Sequence, residues 1–522
     1  MGSGRAAAEA ERVHAEMTSI TASSGNLASQ GVTMSIHTDP GLLALELDGT
    51  LTVPGDPGWD RARQAWNLAV DQQPAAVATV ASVRDVQTVL TVSRRVGLRV
   101  AAQSTGHNAS PMGDLADTIL LSLSEMRDVL VDPSTRIARV EGGAQWSDVT
   151  SAAAQYGLAA LAGSSGDVGV AGYTLGGGVS WLARSHGLAL NHVRAFEVVT
   201  ADGSVRRVDA QSEPDLFWAL RGGGGSFAVV TAIEFALFPI GEVYAGALFF
   251  PLERARQVLN AWARWTDNAP AEVTSIGRLI RFPAIPELPP QLSGKSYAVV
   301  EAVTTLDPAD ADALLAPLRA LGPSDDTFTI TPVERLDQLN MDPPAPTPIY
   351  GDGWLQTELS VEAVEAIVQA AGPGVDTPLL TVDLRHLGAA VAPGRGGGAV
   401  DGLPGAFLGF AVGVTPEPAP PMRAAVTRLM DSLAPWREER SYLNFAEQPS
   451  DGSSFFDPAN WARLRAIKAA VDPDDLITAV RSAKAAIRSR TKPAGPIRDT
   501  LRTSSSGTAA IASALRPDRY NS

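Results

Sequence analysis

Cysteine is missing from all 522 residues. Its absence excludes disulfides, thiolate metal sites, iron–sulfur clusters and a cysteine nucleophile, and no metal is expected. Lysine is almost missing too: Lys295, Lys468, Lys484 and Lys492 are the only ones, so Arg carries most of the positive charge. With 42 Lys and Arg against 57 Asp and Glu, the net charge is −15. That balance argues against nucleic acid or an anionic membrane surface as the main partner. No apolar run approaches the ~18 residues that a membrane helix needs. The first residues, MGSGRAAAEAERVHAEM, lack the apolar centre of a secretory signal, so a cytoplasmic location is expected.

What the chain does have is 45% hydrophobic residues and enough length for two or three domains. Residues 1–50 and 489–522 carry no sustained periodicity and are expected to be a flexible extension and a flexible tail. Between them strand and helix patterns alternate. PAAVATVAS reads as a strand. SVRDVQTVLTVSRRVG reads as a helix, with Val83, Val86, Leu90 and Val96 near helical spacing, Ser82 as N-cap and Gly97 as stop. LRVAAQ reads as the next strand. This βαβ unit delivers the loop STGHNAS, residues 104–110, to the place where such sheets bind ligands. His107 in that loop is either an idle turn residue or a point of cofactor attachment.

Two further glycine clusters follow. GSSGDVGVAGYTLGGG, residues 163–178, lacks the Gly-Lys-Ser/Thr ending of a P-loop and the spacing of a dinucleotide fingerprint. LRGGGGSFAVVTAIEF joins a short helix after Pro214 to a strand. Three such turns are either ordinary glycine-rich connections or backbone wrapped around an extended ligand.

The order of these segments, with VEGGAQWSDV and VRAFEVVTADG between them, resembles the FAD-binding domain of the berberine bridge enzyme-like oxidoreductases, within the vanillyl-alcohol oxidase superfamily. SYLNFAE followed by WARLRAIKAAVDPDDLI is similar to that family's Tyr-x-Asn segment and closing helix. The resemblance covers roughly residues 55–480. It implies an α+β fold: a two-part PCMH-type FAD-binding domain at 51–242, a substrate domain at 243–434 with an antiparallel sheet covered by helices on one side, and a segment at 435–488 returning to the FAD domain. It also implies FAD bonded covalently through His107. Ser104, Thr105, Gly106 and Asn108 would be its neighbours in the loop; Ser164, Gly172, Tyr173, Gly176, Gly177, Val230 and Asn444 would complete the cofactor site. Ser165 stands where many relatives carry a second flavin-linking cysteine, so one histidyl bond is the most this chain can form. Val168 would lie beside the flavin face that meets dioxygen, where a small side chain permits access.

In the second half, VYAGALFFPL, SYAVVEAVTTL and LLTVDLRHLG read as strands, and RARQVLNAWARW and ADADALLAPLRAL as helices. Along LLTVDLRHLG, Leu380, Val382 and Leu384 alternate with Thr381, Asp383 and Arg385. Helices over the apolar side would leave the polar three facing a cavity. There Asp383 could take a proton or orient a base, and Arg385 could hold an acidic group; alternatively they form a solvated ion pair. Tyr442 and Asn444 are expected two apart on one strand face, and the resemblance implies that Tyr442 is either a catalytic base or a residue packed on the flavin. The activity that the resemblance implies is removal of hydride from an alcohol, sugar hydroxyl or amine of a small substrate, with dioxygen as acceptor giving hydrogen peroxide. A flavin dehydrogenase with another acceptor and a non-catalytic flavin-binding protein stay open, as does the oligomeric state.

Overall fold

The computed structural model describes residues 47–415 and 420–478. Almost all of the expected N-terminal extension, all of the tail and residues 479–488 of the returning segment lie outside the described residues.

The first sheet is built as the periodicity predicts. Ser82 caps the helix Val83–Val96 by accepting from Asp85 N, and Gly97 ends it in the left-handed region at φ 75°. The flanking strands Ala76–Thr79 and Arg99–Gln103 both run parallel to Thr118–Ser122, which lies between them. Ile477–Thr478 joins at the far edge, parallel to Arg99–Gln103, and Thr50–Thr52 closes the other edge antiparallel. The helix buries Val86, Val89 and Leu90 against this sheet. A second five-stranded sheet is antiparallel, in the order Val129–Asp132, Ile137–Glu141, Val229–Ala236, Val193–Val199, Val205–Val208. A break in its register between Glu197 and Val198 pairs Val198 with Val230 and leaves Thr231 out of the ladder.

The third sheet has eight strands and only antiparallel pairs. Its centre is Val273–Arg281 between Ser296–Thr304 and Thr381–His386. Helix Ala255–Thr266 buries Val258, Leu259, Trp262 and Trp265 on one side of it. Helices Val361–Ala371 and Pro420–Ser432 bury further residues in the same core. Gly277 makes room for the helix indole and Gly409 for the indole of its cross-strand neighbour Trp354. A Cβ on Gly277 would stand 2.4 Å from Trp262 Cε3, and one on Gly409 would stand 2.1 Å from Trp354 Cε2. With helices on one face, every second residue of a strand points to the other face, where Arg278, Ile280, Thr381 and Asp383 of the central strands line a cavity.

Candidate active site

A cavity of about 410 Å3 lies between that open sheet face and the loops of the two smaller sheets, a size within the ~300–1,000 Å3 usual for small-molecule and cofactor sites. The loop after strand Arg99–Gln103 supplies Ser104, Thr105, Gly106, His107 and Asn108 to its wall. Gly106 needs its φ of 79°, and a Cβ there would press at 3.0 Å on Ala65. The cluster 163–178 supplies Ser164, Ser165, Val168, Gly172 and Tyr173, and Val230 comes from the bulged strand. This cluster contains a helix, Val170–Leu175.

His107 is held on several sides. Its ring stacks on Trp66 at 4.2 Å between centroids, with 18° between planes. Thr105 Oγ1 lies 2.7 Å from Nδ1, and Asp167 Oδ1 lies 3.4 Å from Nε2. Asp167 accepts from Trp66 Nε1 at 2.5 Å and from Ser165 Oγ at 2.8 Å. Burial opposes its charge, but the contacts with His107, Ser165 and Trp66 prevail and hold its carboxyl below the usual range.

Across the cavity, Thr381, Asp383 and Arg385 face inward as alternation requires, while Val382 and Leu384 join the helix-covered core. Leu380, expected on the apolar side, also lines the cavity; it precedes the strand Thr381–His386, so strand alternation does not bind it. Asp383 Oδ1 accepts from Thr381 Oγ1 at 2.6 Å and pairs with Arg278 Nε at 3.2 Å. Arg278 also reaches Glu301 at 2.8 Å and Asn340 O at 2.8 Å. Burial pushes Glu301 up to about 7 against the opposing pull of Arg278. Arg385 lies 5.2 Å from the Phe445 ring centroid and 3.4 Å from Ser164 Oγ. His386 falls on the buried side near Phe407, and burial together with the Arg184 charge lowers its pKa to about 3.

Tyr442 and Asn444 depart from expectation. They lie on no strand: Tyr442 is extended and precedes a 3₁₀ turn, Leu443–Phe445. The reason is local bonding. Phe445 N closes onto Tyr442 O, and the Asn444 amide donates to Tyr173 O and to Tyr442 Oη. Asn444 still lines the cavity, but Tyr442 does not. Its hydroxyl accepts from Gly178 N at 2.8 Å, and burial pushes the phenol above its ordinary value. The Tyr-x-Asn segment presents Phe445 to the cavity instead. Gly176 and Gly177 are likewise not cavity residues. A Cβ on Gly176 would meet Asn444 Oδ1 at 1.7 Å and one on Gly177 would meet the Tyr442 ring at 3.0 Å, so these glycines admit the turn behind the wall.

Trp66, Asp167, Arg278 and Asp342 were not singled out from the sequence. Asp342 accepts from Ser164 Oγ at 3.0 Å and from Asn340 Nδ2 at 2.7 Å. Only Asp167 carried a local signal, two residues beyond Ser165 in a glycine cluster.

The cavity fits FAD by its chemistry. A Cβ on Gly172 would meet nothing within 4 Å, so the missing side chain leaves room along the wall. Asn108 Oδ1 and Arg385 Nε are buried without a hydrogen bond among the described residues, which suits a ligand bearing both donors and acceptors. Among those residues no three or more His, Asp or Glu group to hold a metal, and no helix is long and apolar enough to cross a membrane.

Comparison with known proteins agrees. Residues 74–209 match the FAD binding domain family. The chain is 34% identical over 196 residues to (R)-6-hydroxynicotine oxidase of Paenarthrobacter nicotinovorans, covering 38% of this chain and 43% of that protein. It is 36% identical over 189 residues to glucooligosaccharide oxidase of Sarocladium strictum, covering 36% and 38%. The matches span about half or less of the length of such curated relatives. The solved structure of Physcomitrella patens BBE-like 1 superposes with a TM-score of 0.74 at 20% identity, over 86% of this chain and 99% of that one. Residues 74–209 thus form an FAD binding domain, and the chain has the fold of the berberine bridge enzyme-like flavoproteins.

Proposed function

We propose that this chain is an FAD-dependent oxidoreductase that takes hydride from a carbon bearing a hydroxyl, as in an alcohol or sugar, or from an amine, with FAD bonded through His107 and dioxygen as the acceptor. The observation that carries this reading is the cavity itself. It sets the His107 loop and the small-residue wall opposite a sheet face bearing Asp383 and Arg385. Bound FAD would supply a hydride acceptor that dioxygen can reoxidise to give hydrogen peroxide.

The residues of the chain bind, orient and handle protons. His107, Asn108, Ser164, Gly172, Tyr173, Val230 and Asn444 would hold the cofactor, and Val168 would leave room for dioxygen. Asp383 is the assigned base. Thr381 and Arg278 both engage its Oδ1, so Oδ2 is the oxygen assigned to take the substrate's proton. Arg385 would anchor a substrate oxygen or carboxylate. The names of the two relatives favour a hydroxyl-bearing ring or sugar as the substrate class.

The test is anaerobic mixing of purified protein with alcohol, sugar and amine libraries, followed by admission of air. Bleaching of the flavin spectrum by one class, then its return with hydrogen peroxide, is expected. No bleaching by any class would overturn the enzyme reading. Bleaching without recovery in air would replace the oxidase by a dehydrogenase. Acid precipitation checks the bond: the flavin should stay with the protein in wild type and be released in His107→Ala.

A further inference from the structure

We infer that Asp167 is the positioning residue for bond formation at His107, acting through the far side of the imidazole. The inference rests on the proposed covalent attachment of FAD. Three observations carry it. Asp167 Oδ1 faces His107 Nε2 at 3.4 Å, close enough to bias the ring's proton but longer than a short hydrogen bond. The carboxylate is itself fixed, by Trp66 Nε1 on Oδ2 and Ser165 Oγ on Oδ1. The same Trp66 stacks on the imidazole, and its backbone is clamped by Thr105 O at 2.9 Å and Thr347 N at 3.2 Å. One carboxylate and one indole therefore set both the position and the tilt of the ring.

A carboxylate beside Nε2 favours the tautomer with its proton on Nε2. The lone pair then lies on Nδ1, where the Thr105 hydroxyl donates to it. An imidazole so held attacks through Nδ1 as the Thr105 hydroxyl turns away and frees the lone pair. The new bond joins Nδ1 to the 8α carbon of the flavin. That carbon gives up one hydrogen as a proton and the imidazole gives up its Nε2 proton, toward Asp167. The two electrons pass to the flavin ring and then, with two protons, to dioxygen, which leaves as hydrogen peroxide. Asp167 forms no bond; its charge favours the cationic imidazole present when Nδ1 has bonded and Nε2 still holds its proton.

The test uses the full chain, prepared in a riboflavin-starved host and mixed in air with FAD. Total bound flavin is read by absorbance after desalting, and bonded flavin by acid precipitation, over time. Wild type should bond FAD progressively. Asp167→Asn should bind as much FAD in total but bond it about 10- to 100-fold more slowly, the range found when a metal-binding histidine loses the carboxylate that orients it. Asp167→Glu should recover part of the rate. A merely structural role would lower total FAD binding instead and would not be rescued by glutamate, so that outcome overturns the inference. Equal bonding rates in wild type and Asp167→Asn overturn it while leaving the His107 bond intact. A wild type that never forms acid-stable flavin overturns the His107 reading and this inference with it. Should Asp167→Asn fail to fold, 15N NMR of the wild-type chain before FAD is added decides: a His107 proton on Nε2 supports the role, and one on Nδ1 overturns it.

Discussion

Tyr442→Phe separates a buried tie from a catalytic base. The tyrosine is 3% exposed, and its hydroxyl accepts from Gly178 N at 2.8 Å and from the Asn444 amide at 3.0 Å. Phenylalanine keeps the ring contacts and removes only the oxygen. The Asn444 amide retains Tyr173 O as a partner at 2.9 Å, so the main loss falls on the Gly178 N–H. Leaving one such buried group unmet costs about 1–3 kcal/mol. For a chain of this length, about 1 kcal/mol moves Tm by about 1 °C, by the per-residue unfolding entropy. A fall of about 1–3 °C in a thermal scan at saturating FAD is therefore expected. Flavin reduction, followed by anaerobic stopped-flow with a substrate from the library screen, should stay within about tenfold of wild type, whereas loss of a positioned base costs about 100- to 10,000-fold. A drop of that larger size, with FAD content and Tm unchanged, would refute the reasoning and return Tyr442 to the role of base.

The remaining predictions concern the charged groups. Asp383→Asn should leave FAD content unchanged and slow flavin reduction by about 100- to 10,000-fold; an unaffected rate would remove Asp383 as the base. Lys468 is buried and donates to Ser226 O, Ile477 O and Asp472 Oδ2 at 2.5–2.8 Å. Lys468→Ala should cost about 3–5 kcal/mol by leaving the buried Asp472 charge without its cation, though Leu476 N and Ile477 N still donate to it, read as a lower denaturant midpoint and faster proteolysis near Ile477. Glu301 is pushed up to about 7 in the folded chain but ionises near ~4.3 when unfolded. Between those values the folded state holds the extra proton, so this group's stabilisation is complete below about 4.3 and declines as pH rises through about 7. Denaturant midpoints measured from pH 5 to 8 should fall more steeply in wild type than in Glu301→Gln; a wild type that gains stability relative to the variant across this window would show that the Arg278 ion pair outweighs burial.

Much of the fold was legible because its causes are local. Ser82 and Gly97 bracket their helix by capping and by left-handed backbone, and the alternation around Val382 and Leu384 sorts one strand's side chains onto two faces. The His107 loop was legible for a related reason: a strand ends, small residues follow, and a single imidazole stands among them. The Tyr-x-Asn segment misled because spacing two means one face only if the residues form a strand. Here side-chain hydrogen bonds to Tyr173 O and Gly178 N replaced the ladder, and a 3₁₀ turn carried Phe445, not Tyr442, into the cavity. The charged cluster was beyond sequence reasoning because its partners are chosen by strand register. Arg278 lies opposite Asp383 only because Val273–Arg281 pairs with Thr381–His386 in one alignment, across more than a hundred residues of chain. Trp66 and Asp167 are likewise brought together only by the fold: both lie on loops, 101 residues apart in sequence, and meet at one imidazole. The sequence by itself determined most of the elements and the lack of any thiol chemistry, which follow from periodicity and composition, while the cofactor class came from the resemblance that the motif order carries. Only the tertiary structure decided which acid touches which base, because a buried charge takes its partner from whatever the packed chain brings within a few ångströms.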